Sequence, residues 1–390
     1  MPINIAVTLI FFFFYTLFIG IAQLSFTDTT SSWSYLLGIN FAFCVIVTCM
    51  FFSLPNINLK YEDIEFKSFD QRFFIYCFIL GFIGYMIIFI FYGAPLLSDN
   101  PNVARVEIER QTGFIYNCFR LLLSISIFGL ALNSPYDKKT LTILFLSTVI
   151  VSLTAFRGRA IEPTLFYFFA VFIKYGLSLL KSRIFLILSI LALILFGFIL
   201  FLTFLRFSSE GSFDFSSALD LLTWRLFYLN FENNIKFSIY ELNGLLLGGK
   251  TYFNDFFSVI NNDYTGFNKW FTELRRSENI QLFQTTPTFL SESIVNFGKY
   301  FIFFTPLLLI ILYALVFCLK RLFFIDDSLT GNIVFLFTSI KIIQVLIPQG
   351  IGTAMFNYLP KIIISIALVH LAIFLFSKSN RESSTIKDLT

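Results

Sequence analysis

The stretch Tyr300–Leu319 reads YFIFFTPLLLIILYALVFCL and contains no charged side chain in its 20 residues. A helix of that length is about 30 Å long, which is the thickness of the hydrocarbon core of a bilayer. Similar runs recur along the whole chain, of which 57% is hydrophobic and only 13% is charged. A soluble domain carries roughly 25% charged residues. The sequence therefore predicts an all-α polytopic membrane protein.

Apolar runs of this length predict ten membrane-spanning helices. They lie near residues 3–22, 33–54, 73–93, 113–132, 140–156, 162–180, 184–205, 300–319, 332–348 and 361–377. Seven of them fall in residues 1–205 and three in residues 300–377, and a tail of residues 378–390 follows. The intervening residues 206–299 are too polar to span and too long for an ordinary connection, so we expect a large helical loop.

The short loops fall into two sets that differ in charge. Members of one set are basic, and their residues are Lys60, Lys67, Arg72, Lys138, Lys139, Lys181, Arg183, Lys320, Arg321, Lys378, Arg381 and Lys387. The other set is poor in Lys and Arg, beginning with residues 23–32, which have none. Cytoplasmic loops carry the excess of basic residues. We therefore expect both termini in the cytoplasm and residues 206–299 on the outer side.

The large loop has helical features of its own. Ser217 is placed to cap one helix, and further helices are expected at about Thr251–Ile260 and Asn268–Leu282. Thr286 and Pro287 have the cap-plus-proline pattern that begins a helix, which we expect to lead through Gly298 into the eighth span. Its aromatic content suits helices on the membrane interface. Ten acidic against eight basic residues make a nucleic-acid partner unexpected.

Residues Gly244–Thr251 match the phosphate-binding pattern GxxxxGK[ST]. That motif binds phosphate only where it joins a strand to a helix, so that backbone N–H groups surround the anion. The surrounding sequence predicts helices instead. We interpret Gly248-Gly249 as a turn between two helices.

Two arginines, Arg157 and Arg159, follow the fifth span at its outer end. They oppose the charge bias of that side and suit an anion at the interface, because a guanidinium group donates two parallel hydrogen bonds to phosphate. The alternative is a pair that contacts lipid headgroups. Glu162 lies three residues after Arg159, where we expect it to orient that arginine.

A second charged cluster follows the third span. Asn100 and Pro101 have the pattern that starts a short helix carrying Arg105, Glu107, Glu109 and Arg110. Arg105 and Arg110 are candidates for sugar or phosphate contacts. The competing interpretation is a surface helix whose charges neutralise one another at i,i+3 and i,i+4 spacing.

Other ionisable residues offer few catalytic groups. In the large loop, Arg275 and Arg276 form the densest basic spot and are further candidates for substrate binding. Glu292 lies just before the eighth span, where a partly desolvated carboxylate suits a general base or a ligand of sugar hydroxyls. Lys341 is an intramembrane candidate. The single histidine, His370, is expected to be a packing residue, and no metal site is predicted.

The arrangement of many spans, an Arg-Gly-Arg after an apolar helix (Ser152–Arg159) and one large late loop resembles the oligosaccharide repeat-unit polymerases, the O-antigen polymerases of Wzy type. Residues Thr286–Gly298, which lead directly into a span, are similar too. The resemblance covers the whole chain in layout.

The resemblance implies a metal-independent membrane glycosyltransferase of the bacterial inner membrane that needs no cofactor. Its substrate would be an undecaprenyl-pyrophosphate-linked oligosaccharide, polymerised at the periplasmic face during lipopolysaccharide or other polysaccharide biosynthesis. A chain-length regulator and a flippase of the same pathway would be its partners. Arg157 and Arg159, with Arg105 or Arg275, would stabilise the leaving pyrophosphate. Glu162 or Glu292 would act on the attacking hydroxyl.

Three other functions remain open from sequence. An oligosaccharide-lipid flippase is favoured by cations inside spans, including Arg120, Lys174 and Lys341, and disfavoured by the large loop. An O-antigen ligase shares the layout but is expected to have a histidine in that loop, which this sequence lacks. A structural or regulatory membrane protein would need no interfacial arginines.

Overall fold

A computed structural model of the protein describes residues 3–15, 31–54, 68–176, 246–260, 288–324 and 328–387, together with isolated positions between 190 and 274. Every element in these residues is helical and none is a strand. The α-helices are α1 (Ile3–Tyr15), α2 (Ser31–Phe52), α3 (Ser68–Tyr92), α4 (Pro101–Asn133), α5 (Lys138–Ser152), α6 (Arg157–Ala160), α7 (Glu162–Tyr175), α8 (Lys250–Ile260), α9 (Phe289–Phe297), α10 (Phe301–Phe323), α11 (Leu329–Gln349) and α12 (Leu359–Lys387). A π-helical turn, Thr353–Tyr358, precedes α12.

Six stretches of the described chain are helical, long and apolar enough to cross a membrane. They are Tyr35–Phe52, Gln71–Leu97, Val103–Asn133, Phe289–Phe323, Leu329–Gln349 and Thr353–Leu375. They coincide with six of the ten predicted spans, so the multi-pass membrane fold is confirmed. The first, fifth and sixth predicted spans contain the shorter helices α1, α5 and α7. Most of the seventh, at 184–205, lies outside the described residues, and the total of ten stays a prediction.

Two helices form the centre of the bundle. The spanning stretches of α4 and α11 are each 89% buried, whereas the other four are 28–39% buried. Around them, α4 packs against α3, α7 and α12, and α1 packs against α2 and α11. Outer helices therefore expose apolar side chains in the way that lipid-facing helices do. Polar side chains on α4 and α11 are, by contrast, kept from lipid.

Close packing of α3 on α4 depends on glycine. A Cβ atom added to Gly84 would lie 2.4 Å from Phe119, and one added to Gly129 would lie 2.2 Å from Phe74. Small residues let membrane helices approach closely. The backbones of α3 and α4 therefore pack closely at both positions, Gly84 and Gly129.

The beginning of α4 confirms one expectation and corrects another. Asn100 caps the helix by accepting a hydrogen bond from the Val103 amide at 3.3 Å, and Pro101 is the first residue. The short helix expected here is instead continuous with the fourth span. No proline interrupts it, and its two interior glycines, Gly113 and Gly129, cost only about 1 kcal/mol each. Arg105, Glu109 and Arg120 consequently lie on one rigid helix.

Several chain turns meet at one end of the bundle, which we call the site end: α3 ends there, α4 and α7 begin there, and α11 ends there. The turn after α3 is joined to the turn after α5 by a hydrogen bond from the Leu96 amide to the Leu153 carbonyl at 3.0 Å. At Gly350, which has a φ of +96°, the chain leaves α11 and turns back toward α12. These turns carry most of the candidate residues.

Candidate functional site

Glu162 is the first residue of α7 and is buried within the bundle. Its Oε2 atom lies 3.2 Å from Nε of Arg120 on α4, and its Oε1 atom accepts a hydrogen bond from Nζ of Lys341 on α11 at 2.8 Å. Ser124 donates a further hydrogen bond to Oε1 at 3.3 Å. A buried carboxylate requires such partners, since its desolvation is costly. One carboxylate therefore ties three helices together.

Two more side chains complete this group, which we call the Glu162 cluster: Glu162, Arg120, Lys341, Tyr358 and Lys361. The Nζ atoms of Lys341 and Lys361 each lie 5.4 Å from the ring centroid of Tyr358. All three cations are buried, at 2%, 2% and 8% exposure for Arg120, Lys341 and Lys361. Three cations against one carboxylate leave a formal excess of two positive charges. Such an excess favours an anionic ligand.

Arg159 lies beside the cluster and has a different partner from the one expected. Its Nη2 atom forms an ion pair with Oε1 of Glu109, and its guanidinium group lies 3.7 Å from the ring centroid of Phe156. Glu162 acts on Arg159 electrostatically, but the ion pair of Arg159 is with Glu109 on α4. Glu162 is engaged by Arg120 and Lys341 instead.

The remaining predicted arginines differ in placement. Arg105 lies 5.1 Å from the ring centroid of Phe156, so it shares that ring with Arg159. Arg110 is exposed on the surface of α4. Arg157 is described only as the first residue of α6, and Arg275 and Arg276 lie outside the described residues.

Two guanidinium nitrogen atoms at this end of the bundle have unused hydrogen-bonding capacity. Nη2 of Arg120 and Nη1 of Arg159 are buried and make no well-aligned hydrogen bond among the described residues, although the Arg120 side chain interacts with the Tyr358 hydroxyl and Arg159 with that of Tyr116. Both arginines interact electrostatically with Tyr85 and Tyr116. Buried donors are almost always satisfied, so an unsatisfied pair indicates a ligand or water. Donors of this kind match phosphate oxygens.

Glu292, the second candidate carboxylate, is fully buried on α9. Its Oε2 atom accepts hydrogen bonds from the amides of Ile351 at 2.7 Å and Gly352 at 3.3 Å, and Thr251 donates to Oε1 at 3.4 Å. Amides at the start of a helix lack partners within the helix, and a carboxylate satisfies them well. Glu292 therefore connects the large loop to the turn between α11 and α12.

Asp255 on α8 lies next to this connection. A Cβ atom added to Gly352 would lie 2.0 Å from Oδ2 of Asp255 and 3.0 Å from Oε1 of Glu292, so both carboxyl groups pack against Gly352 and leave no room for a side chain there. Oδ1 of Asp255 accepts a hydrogen bond from the Phe267 amide at 2.9 Å. Burial raises the pKa of Asp255 to about 6, although the Phe267 N–H opposes the shift.

This pKa predicts a pH-dependent attachment of α8. Folding raises the pKa of Asp255, so its contribution to stability is complete at low pH and is lost as the pH rises through about 6. Hydrogen exchange of the α8 amides, compared between wild type and Asp255→Asn at about pH 5 and about pH 8, measures this. We expect wild-type protection, relative to the variant, to fall at the higher pH. If the ratio of wild-type to variant protection of the α8 amides is the same at both pH values, the prediction is wrong.

The segment Gly248–Thr251 agrees with the interpretation of its phosphate motif as a coincidence. Gly248 and Gly249 have φ angles of +58° and +89° and form the turn that leads into α8. The Gly249 amide donates to Oδ1 of Asn296 at 3.1 Å, and the Thr251 amide donates to the same atom at 3.5 Å. Amides that a phosphate would need are thus already bound.

Sequence reasoning named Glu162 and Lys341 separately but missed their contact, and it missed Lys361 and Tyr358. Arg120, named from sequence only as a cation inside a span, is buried against Glu162. The signal was present, since an ionisable residue inside a span is a functional candidate by default. Within the described residues no group of three metal-ligating side chains occurs.

Comparisons with protein-family models, with curated proteins and with solved structures find no match for this chain. Its function is therefore inferred from the chemistry of its own residues.

Proposed function

We propose that this protein polymerises undecaprenyl-pyrophosphate-linked repeat units of O-antigen or a related polysaccharide by glycosyl transfer, at the outer face of a bacterial inner membrane. One observation carries the proposal: the excess of buried cations in the Glu162 cluster, beside guanidinium nitrogens of Arg120 and Arg159 that make no well-aligned hydrogen bond among the described residues. A lipid-linked pyrophosphate supplies the charge and the oxygens that such a site lacks. The resemblance of the chain's layout to repeat-unit polymerases points to the same substrate.

The depth of the cluster suits a lipid-linked anion. Lys341 lies eight residues before Gln349, where α11 ends, and that separation is about 12 Å along a helix. Lys361 lies eleven residues beyond the Gly350 turn and is likewise buried. A pyrophosphate at this depth has its polyprenyl chain in the bilayer and its sugars toward the site end.

The reaction needs charge stabilisation more than it needs a base. The acceptor hydroxyl oxygen forms a bond to the anomeric carbon of the donor, the bond from that carbon to the pyrophosphate oxygen breaks, and the electron pair leaves with the pyrophosphate. Arg120, Arg159 and Lys341 are the groups that we propose stabilise the departing charge. Glu162 is proposed as a positioning residue for Arg120 and Lys341. The hydroxyl proton is taken up by the departing pyrophosphate.

The orientation proposed from loop charges suits this chemistry. At the opposite end of the bundle lie Lys138 and Lys139, in the first turn of α5, and Lys320 and Arg321, in the last turn of α10, beside short connections. Basic connections of that kind face the cytoplasm. The site end then faces outward, and both termini lie in the cytoplasm.

The proposal is tested in a bacterial strain from which the gene is deleted and restored as variants. We expect Arg159→Ala to reduce the lipopolysaccharide ladder to a single capped repeat while the protein remains in the membrane, because the pyrophosphate loses a charged donor. Lys139→Ala, an exposed cation at the opposite end, is the matched control and is expected to give a normal ladder. Gel electrophoresis of the lipopolysaccharide, with an immunoblot for the protein, measures both.

The same gel distinguishes the competing functions. A deletion strain with no repeats on its surface and lipid-linked repeats retained inside would show a flippase, which the depth of Lys341 and Arg120 within the bundle also suits. An unattached ladder would show a ligase. A normal ladder in the deletion strain, or in Arg159→Ala, would overturn the assignment of the polymerase or of its site.

A further inference from the structure

We propose that a cavity between α8 and the rings of Phe267 and Trp270 is a saccharide-binding site. The cavity has a volume of about 250 Å³ and is lined by Leu247, Lys250, Thr251, Asn254, Phe267 and Trp270. That volume accommodates one sugar ring with bound water. Its placement in the polymerisation reaction rests on the proposed function, whereas its ligand class follows from the lining residues.

An aromatic face forms one side of the cavity. The rings of Phe267 and Trp270 stack with centroids 5.7 Å apart and planes 28° apart. Phe267 is buried at 1% exposure, and Trp270 is the half-buried ring of the pair. The C–H face of a pyranose is apolar and packs on such a ring, while the indole N–H remains a donor for a hydroxyl group.

Polar groups on the other side suit a neutral ligand with hydroxyl groups. The Asn254 amide both donates and accepts hydrogen bonds, and the Lys250 ammonium group donates them. Lys250 is the single ionic side chain that lines the cavity. One cation is too few for a nucleotide or another polyanion, and the adjacent helix amides of Gly249 and Thr251 are bound by Asn296.

The walls of the cavity are held in place before any ligand arrives. The Leu247 amide donates to the Val295 carbonyl at 3.1 Å, which fixes the turn before α8 on α9. Asp255 fixes the other wall through the Phe267 amide at 2.9 Å. A preformed, mostly apolar cavity with a few placed polar groups is the usual form of a small-molecule site.

The cavity is also connected to the charged cluster. Thr251 lines it and donates to Glu292, which binds the amides of Ile351 and Gly352. The π-helical turn Thr353–Tyr358 then joins Gly352 to Tyr358 of the Glu162 cluster. The cavity and the cluster are therefore linked through one short, directly bonded segment of the chain.

Trp270 provides a direct test of binding. The chain has three tryptophans, so Trp33→Phe with Trp224→Phe leaves Trp270 as the sole indole fluorophore. Methyl glycosides of common hexoses, 6-deoxyhexoses and N-acetylhexosamines are titrated into the full-length protein in nanodiscs. We expect a saturable change in emission with at least one glycoside. Saturation-transfer NMR on the unsubstituted protein repeats the measurement without altering any tryptophan.

Variants then locate the site. Asn254→Ala is expected to weaken binding about fivefold, the effect of one lost hydrogen bond. Phe253→Ala, its exposed neighbour on α8 that does not line the cavity, is the matched control and is expected to bind as wild type does. No response to any glycoside by either method, or equal affinity of Asn254→Ala and wild type, would overturn the inference.

The outcome is independent of the test of the proposed function. If the lipopolysaccharide ladder depends on Arg159 but no glycoside binds, only the saccharide-site inference is overturned. Glycoside binding that depends on Asn254 together with a normal ladder in the deletion strain overturns the polymerase and leaves a saccharide site.

Discussion

Glu162→Gln is expected to lower the free energy of unfolding by about 3–5 kcal/mol, because it leaves Arg120 and Lys341 buried without their counter-charge. Gln has nearly the shape of Glu, so the loss reports charge and not a cavity. Reversible unfolding in a detergent mixture, followed by circular dichroism, measures it. The expected yield of folded protein falls accordingly.

The matched control is Glu109→Gln, which removes the carboxylate of the Arg159 pair. Glu109 is 38% exposed and Arg159 is 17% exposed, so water compensates the lost partner. Pairs of that kind contribute about 0–1 kcal/mol. Equal losses in the two variants would show that the Glu162 cluster does not stabilise the bundle.

A double-mutant cycle separates the pair from the rest of the cluster. Lys341→Met removes the second cation and places an apolar side chain of similar length in the bundle. Combined with Glu162→Gln, it is expected to cost less than the sum of the single changes, by about 1–3 kcal/mol, since contacting residues are not additive. Additive losses would mean that the contact between Lys341 and Glu162 contributes nothing.

The second large effect is expected at the turn between α11 and α12. Gly350 has a φ of +96°, and a Cβ atom there would lie 2.6 Å from Oε2 of Glu292, the atom that accepts the Ile351 amide. Gly350→Ala therefore combines backbone strain with loss of the carboxylate cap. We expect a cost of roughly 2–4 kcal/mol, measured by the same unfolding assay.

Gly93→Ala is the control that isolates the clash. Gly93 also has a positive φ, +76°, but an added Cβ atom there meets nothing within 4 Å. Its cost is backbone strain alone. If the two alanine variants lose equal stability, Glu292 does not hold the turn.

Gly352→Ala offers a complementary experiment with a rescue. Its Cβ atom would lie 2.0 Å from Oδ2 of Asp255. Removing that carboxyl group as well, in Gly352→Ala with Asp255→Ala, is expected to restore part of the lost stability. If the double variant is no more stable than Gly352→Ala, the contact with Asp255 is not the source of the strain.

The sequence was sufficient to predict helix positions and insufficient to predict how they meet. Charge-free runs such as Tyr300–Leu319 predict spans because no other structure satisfies the backbone in a bilayer. Arg120 and Lys341 lie 42 and 179 residues from Glu162 in the chain, and both contact it. No local pattern indicates such a contact. The sequence placed Arg120 and Lys341 inside spans but could not indicate that Glu162 is their partner.

Patterns in short stretches of sequence were also insufficient where a residue has a partner on another helix. The charges at Arg105–Arg110 suggested a self-contained surface helix, yet Glu109 pairs with Arg159 from a different helix. Asn100 and Pro101 predicted where α4 begins, but nothing nearby predicted its length. At the large loop, Thr288 caps α9 by accepting from the Ser291 amide at 3.2 Å. Thr286 and Pro287, the residues expected to begin that helix, lie outside the described residues.

The partners of Lys341 have a consequence for how the protein is made. A lysine at the centre of a membrane helix raises the free energy of insertion by about 2.5–3.5 kcal/mol. Ribosomes synthesise α4 and α7 before α11, so Arg120 and Glu162 precede Lys341 into the membrane. When α11 enters the membrane, the Glu162 carboxylate is already there to pair with Lys341. Insertion of α11 therefore depends on helices that were translated much earlier.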